Sequence, residues 1–179
     1  MNAVEVKYID TSVAQSKIAF VFINRPEKAN SFDASVIAEL TEAFKTIGDQ
    51  VKASDDGSGG TNGGKESSVR ACVLSSRGKH FSAGADLGWM KDAAKLSYEE
   101  NISDAMRLRE TFDAFTNLTC PTICIAKGSI FGGAVGLVAA SDMCISLENA
   151  RFCLSEIKLG LIPAVIYPYL QNRSSPIDL

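Results

Sequence analysis

The chain has 179 residues, 46% hydrophobic and 22% charged, which is the make-up of an ordinary soluble globular protein with enough length for a core, so one compact domain is expected. Its net charge of −3, with Lys and Arg scattered along the chain, offers no basic field to a nucleic-acid backbone. The uncharged stretch 128–141 is too short and glycine-rich to span a bilayer, and MNAVEVKYID carries acids where a cleaved signal would carry a basic start; no membrane anchor and a cytoplasmic location are therefore expected.

In chain order, 17–24 (KIAFVFIN) is an apolar run rich in β-favouring residues and predicts a strand ended by Arg25-Pro26. Asp33 stands before Val36, Ile37, Leu40, Phe44 and Ile47, which recur at helical spacing, so Asp33 is the expected N-cap and Gly48 the expected stop of an amphipathic helix. The glycine- and serine-rich stretch at about 53–68 has too little apolar surface to offset its ordering entropy and predicts a mobile loop. A strand at 69–74 runs into SSRGKHFSAGADL, a loop of the kind that carries ligand contacts in α/β proteins, with a helix over 86–94.

A second long helix is predicted over 98–118 from Ile102, Met106, Leu108, Phe112, Phe115 and Leu118, with Pro121 as its break. A short strand at 122–126 then leads to GSIFGGAVGLVAAS, where Gly132-Gly133 opens a buried helix, and 142–146 and 151–154 predict two more strands. YPYLQNRSSPIDL closes no element, so 1–171 is expected as the core domain and 172–179 as an irregular tail. Alternating strands and helices argue for α/β architecture without separating a doubly wound sheet from a coiled or stacked one, and no repeat of fixed period is visible. Cys72, Cys120, Cys124, Cys144 and Cys153 are odd in number and mostly lie in apolar runs without zinc-site spacing; they read as reduced core thiols, and no metal is expected.

Three segments bring backbone N–H groups or a carboxylate to the end of a strand: HFSAGADL, IFGGAVGL and FCLSEIKLGLIP. Two glycine-containing turns supplying one N–H each are a usual way to hold an oxyanion, since glycine lets the chain approach and a helix N-terminus adds its dipole. Taken alone, Glu156 would be an ordinary surface carboxylate, Lys28 a solvated loop lysine and Asp86 a helix N-cap. His80, the only histidine, is given no role, and Trp89 and Met90 suit either an acyl-chain wall or core packing.

AGAD at 83–86, the GG turn at 132–133 ending in Asp142, and 152–160, with NRPEKAN at 24–30, follow one another as they do in the crotonase (enoyl-CoA hydratase/isomerase) family, which the chain resembles over nearly its whole length. The resemblance implies an α/β fold built as a spiral of ββα units, with the family's C-terminal helical trimerisation segment absent. It also implies that the N–H groups of Ala85 and Gly133 bind the thioester oxygen of an acyl-CoA. Lys28, Ala29, Ala83, Asp86 and Leu87 would meet coenzyme A and substrate, and coenzyme A enters only as part of the substrate, with no separate cofactor. Hydratases of the best-known type carry two glutamates; here the first position is Gly136 and the second is Glu156, so a single-glutamate mechanism is implied.

KHFSAGADLGWM, FGGAVGLVAASDMCI and FCLSEIKLGLIPAVI resemble bacterial methylglutaconyl-CoA hydratases of leucine breakdown, with isohexenylglutaconyl-CoA hydratases as a sibling group. An isomerase or thioester hydrolase on the same scaffold, or a truncated and silent acyl-CoA binder, are the rival readings. A homotrimer or dimer of trimers follows from the same resemblance.

Overall fold

The computed structural model describes residues 2–13, 16–55 and 68–173. Its elements are β1 (Val4–Asp10), β2 (Ser16–Ile23), α1 (Ala34–Asp55), β3 (Ser68–Ser76), α2 (Leu87–Ala93), α3 (Tyr98–Thr116), β4 (Thr122–Ala126), β5 (Ser129–Phe131), α4 (Gly133–Ala140), β6 (Met143–Ser146), β7 (Arg151–Cys153) and α5 (Tyr167–Gln171). Two 3-10 turns, Pro26–Lys28 and Ser155–Leu159, complete them.

The strands sort into two sheets. One has the order β1-β2-β3-β4-β6, antiparallel at β1 and parallel elsewhere; the other pairs β5 with β7 in parallel. Isolated bridges Ser82↔Ile130 and Phe32↔Ala85 extend the small sheet to two loop segments. The chain therefore makes the same move repeatedly: a strand in the large sheet, an extended segment in or beside the small one, then a helical segment. β2, Phe32 and α1 form one turn; β3, 82–85 and α2 the next; β4, β5 and α4 the third; β6, β7 and the Ser155–Leu159 turn the last. This is the expected spiral of ββα units.

Burial explains the elements. Ala19, Val21 and Ile23 alternate on the fully buried face of β2, and Val36, Leu40, Phe44, Ile47 and Val51 line one face of α1. The Phe44 and Phe115 rings stack at 4.5 Å between centroids, joining α1 to α3, and each such buried ring contributes about 2 kcal/mol by removal from water. Asp33 caps α1 as expected, its Oδ1 accepting from the N–H groups of Ser35 (3.0 Å) and Val36 (3.1 Å).

Several expectations are corrected. α1 runs through Gly48 to Asp55 because Val51 extends its apolar face by another turn, so glycine does not stop it. Residues 53–55 are consequently helical and Ser68 opens β3; the remainder of the expected mobile loop, 56–67, lies outside the described residues, as does 174–179 of the tail. β1 and β5 were not expected, and α5 falls within YPYLQNRSSPIDL, which was expected to close no element, anchored by buried Tyr169. Cys72, Cys120 and Cys124 are buried, with burial pushing the Cys124 thiol up to about 12, whereas Cys144 on the edge strand β6 is exposed and is no core thiol. Among the described residues, no helix is long and apolar enough to cross a membrane.

Candidate active site

The last residues of the small-sheet segments converge. Phe32, Ala85, Gly132 with Gly133, and Glu156 each follow one such segment in successive turns of the spiral, and all line a single cavity of about 460 Å³. α2 adds Trp89, Met90 and Ala93 to its wall, and α3 adds Asn101 and Leu108, so the part these helices supply is mainly apolar.

Ala85 is positioned by its neighbours. Phe32 N–H donates to Gly84 O (2.8 Å) and Asp86 N–H donates to Phe32 O (2.7 Å). Both bonds use residues flanking Ala85, so its own N–H, which has no acceptor among the described residues, faces away from the Phe32 segment. Gly133 is the first residue of α4, where helical N–H groups lack intrahelical partners. Its N–H also has no acceptor among the described residues. The site thus offers two unpaired donors from two separate turns.

Gly132 before them adopts φ 54° and ψ −126°, a conformation that strains any L side chain. A Cβ there would stand 3.0 Å from Glu156 Oε1 and 3.5 Å from Ser155 Oγ. The carboxylate therefore lies directly against the glycine turn. Its other oxygen, Oε2, is buried with no hydrogen-bond partner among the described residues. A buried carboxylate oxygen without a partner is costly, and such atoms mark places where a water or a substrate supplies the missing bond.

The cavity brings together Ala85, Gly133 and Glu156 but not Lys28, Ala29, Ala83, Asp86 and Leu87, which form an adjoining surface. There Ala83 N–H donates to Ala29 O (3.0 Å), and Lys28 Nζ lies 3.1 Å from Asp86 Oδ2, while Leu87 is 76% exposed. Asp86 accepts from the N–H groups of Gly88 and Trp89 as the expected N-cap of α2. The Lys28 ammonium foremost, then the Trp89 N–H, holds the Asp86 carboxyl below the usual carboxylate range. Lys28→Ala is expected to move the Asp86 titration upward, which carboxyl NMR across an acid titration would register; an unmoved Asp86 would mean that the ion pair is not populated.

Arg25 and Asn30 were missed as supports of this surface. Arg25 Nη1 lies 2.7 Å from Asp33 Oδ2 and Nη2 lies 3.6 Å from Asp86 Oδ2. Asn30 is fully buried, donating from Nδ2 to Arg77 O and His80 O (2.7 Å each) and accepting the Arg25 N–H at Oδ1. Both lie within NRPEKAN, but only the loop's contact partners, distant in sequence, reveal their work. His80 has a structural use, its Nδ1 accepting from Ser129 N–H (3.1 Å). Trp89 and Met90 stand on the cavity wall.

The family model "Enoyl-CoA hydratase/isomerase" matches residues 62–175. Enoyl-CoA hydratase ACTT6 of Alternaria alternata is 31% identical over 150 residues, 84% of this chain and 43% of the relative. The mitochondrial Delta(3,5)-Delta(2,4)-dienoyl-CoA isomerase of Mus musculus is 30% identical over 164 residues, 86% of this chain and 44% of the relative. The crystal structure of an enoyl-CoA hydratase from Shewanella pealeana superposes with a TM-score of 0.76 at 36% identity, covering 93% of this chain and 55% of that one. The chain spans about half the length of these relatives. With two free N–H donors and a carboxylate around one cavity, and a family model matching well over half of its length, the chain belongs to the enoyl-CoA hydratase/isomerase, or crotonase, family.

Proposed function

We propose that the protein is a hydratase-type lyase that adds water across the double bond of an α,β-unsaturated acyl-CoA. The observation that carries this reading is the unpartnered Glu156 Oε2 on the wall shared with the free N–H groups of Ala85 and Gly133. The thioester oxygen accepts both N–H groups, which stabilise the enolate charge that develops as the β-carbon is attacked; one such donor typically contributes about 3 kcal/mol in the transition state. Glu156 takes a proton from water, the water oxygen bonds to the β-carbon, and the same carboxyl returns the proton to the α-carbon. The apolar wall of Trp89, Met90 and Leu108 receives the hydrocarbon part of the acyl group.

The wording of the three motifs supports 3-methylglutaconyl-CoA, an intermediate of leucine breakdown, as substrate, with isohexenylglutaconyl-CoA as the alternative. A second reading, double-bond isomerisation, draws on the similarity to the mouse dienoyl-CoA isomerase, since one carboxylate beside an oxyanion site also suffices to move a proton between carbons. Exposed Met143, Ile145, Phe152, Ile157 and Ile162 favour self-association, in a trimer or dimer of trimers, that light scattering would register.

Mass spectrometry of products from 3-methylglutaconyl-CoA, crotonyl-CoA and a 3-enoyl-CoA separates the readings. Gain of one water is the expected result, with the methylglutaconyl ester turned over fastest. An unchanged mass with a moved double bond would establish the isomerase, and free coenzyme A a thioester hydrolase. No turnover with coenzyme A affinity retained would identify a silent acyl-CoA binder.

A further inference from the structure

We propose that Phe32 is the positioning residue that holds the two oxyanion donors in register, an inference that rests on reading Ala85 and Gly133 as those donors. Its main chain fixes one of them. The Phe32 N–H bond to Gly84 O at 2.8 Å and the Asp86 N–H bond to Phe32 O at 2.7 Å grip the peptides on both sides of Ala85. Its ring fixes the other: Cδ2 and Cε2 stand 3.4 and 3.5 Å from where a Cβ on Gly133 would be, so the ring lies flush against the first residue of α4. The same residue thus touches both donor segments, which lie about 50 residues apart in the chain.

Among the described residues, the backbone bonds that join the two segments directly lie ahead of the donors, from Ser82 N–H to Ser129 O and from Phe131 N–H to Ser82 O. These form the Ser82↔Ile130 bridge and, with the packing of Gly84 on Phe131, lie at the base of the turns. Phe32 is itself held firmly, being 3% exposed, preceded by the Arg25 bond to Ser31 O (3.0 Å) and followed by Asp33, which caps α1 and pairs with Arg25. It occupies, in its own turn of the spiral, the place that Ala85, Gly133 and Glu156 occupy in theirs. An oxyanion donor acts only within a few tenths of an ångström of hydrogen-bonding distance from the developing charge. Misplacement by about 1 Å costs a factor of order 10² in rate. Phe32 makes no bond to the reacting atoms, so its effect is exerted through that spacing.

The test uses 4-(dimethylamino)cinnamoyl-CoA, a chromophoric thioester whose absorption moves to longer wavelength when its carbonyl is polarised by hydrogen-bond donors. The unaltered protein should produce this red shift, Phe32→Ala should lose most of it, and Phe32→Leu, which keeps apolar bulk, should fall between them. Over the same series kcat should fall by about tenfold or more in Phe32→Ala, while affinity for coenzyme A itself stays within about threefold. Circular dichroism establishes which variants fold, and Phe32→Leu carries the comparison if Phe32→Ala does not. A full red shift in a folded Phe32 variant, or loss of shift only in parallel with coenzyme A affinity, would overturn the proposal. The underlying reading fails separately: no red shift in the unaltered protein removes the oxyanion site, and normal turnover in Glu156→Gln removes the acid/base assignment without touching Phe32.

Discussion

Glu156→Gln is expected to lower turnover of the preferred enoyl-CoA by about 10²- to 10⁴-fold, the range that a positioned general acid/base contributes. Glutamine keeps the shape of the side chain and its contact with the Gly132 turn, so coenzyme A affinity and the red shift of a bound chromophoric thioester should persist. What is lost is the basic oxygen. Among the described residues Oε2 is buried without a partner, and none of those lining the cavity is a second carboxylate that could take over. Steady-state kinetics beside a thermal melt check this: a normal melt with unchanged turnover would show that Glu156 is only structural.

Gly136→Glu, which would recreate the second glutamate of the two-carboxylate hydratases, is expected to destabilise the fold and to give no gain in rate. A Cβ at Gly136 would lie 2.7 Å from Phe112 Cζ and 2.8 Å from Cε2, closer than real Cβ contacts occur, so the ring would have to move. It has nowhere to go. Phe112 is fully buried and meets the Tyr169 ring edge-on at 5.2 Å, and the Tyr169 hydroxyl donates to Asp113 Oδ1 at 2.5 Å. Overpacking together with a buried carboxyl lacking a partner should cost about 3 kcal/mol or more, readable as a lowered midpoint in urea. Combining Gly136→Glu with Phe112→Ala should cost less than the sum of the two single changes, by more than about 0.5 kcal/mol, because the ring is the obstacle. Additive losses would mean that the glutamate is excluded by something other than Phe112.

This pairing gives the single-carboxylate site a physical basis. α3 packs so close to α4 that only glycine fits at 136, and the space a side chain there would enter is occupied by the Phe112 ring. The role of Gly136 was legible as a departure from the family's pattern; the reason for it was not, because Phe112 lies 24 residues away on another helix.

The same division runs through the molecule. Ala85, Gly133 and Glu156 could be picked out because each sits in a short local motif whose residues serve one turn, and the structure gathers them around one cavity. Phe32 could not, since its significance lies in bridging segments that meet only in three dimensions. The alternation of Val4, Val6 and Tyr8 was a usable signal for β1, masked by the charges between them. α5 had no comparable signal: five residues with a proline near their start are held as a helix by Tyr169 packing on Phe112. The repeated strand-segment-helix turn was invisible as a sequence period because its loops differ in length from turn to turn.

A single carboxylate reaches its substrate from one side only, which yields the most direct test of the account. Hydration of an enoyl-CoA by the protein in D2O places a deuterium on the α-carbon and a hydroxyl on the β-carbon, and proton NMR of the product gives their relative configuration. Addition of both groups to the same face is predicted, since Glu156 both activates the water and delivers the deuteron. Addition to opposite faces would require a second acid across the cavity and would contradict the assignment.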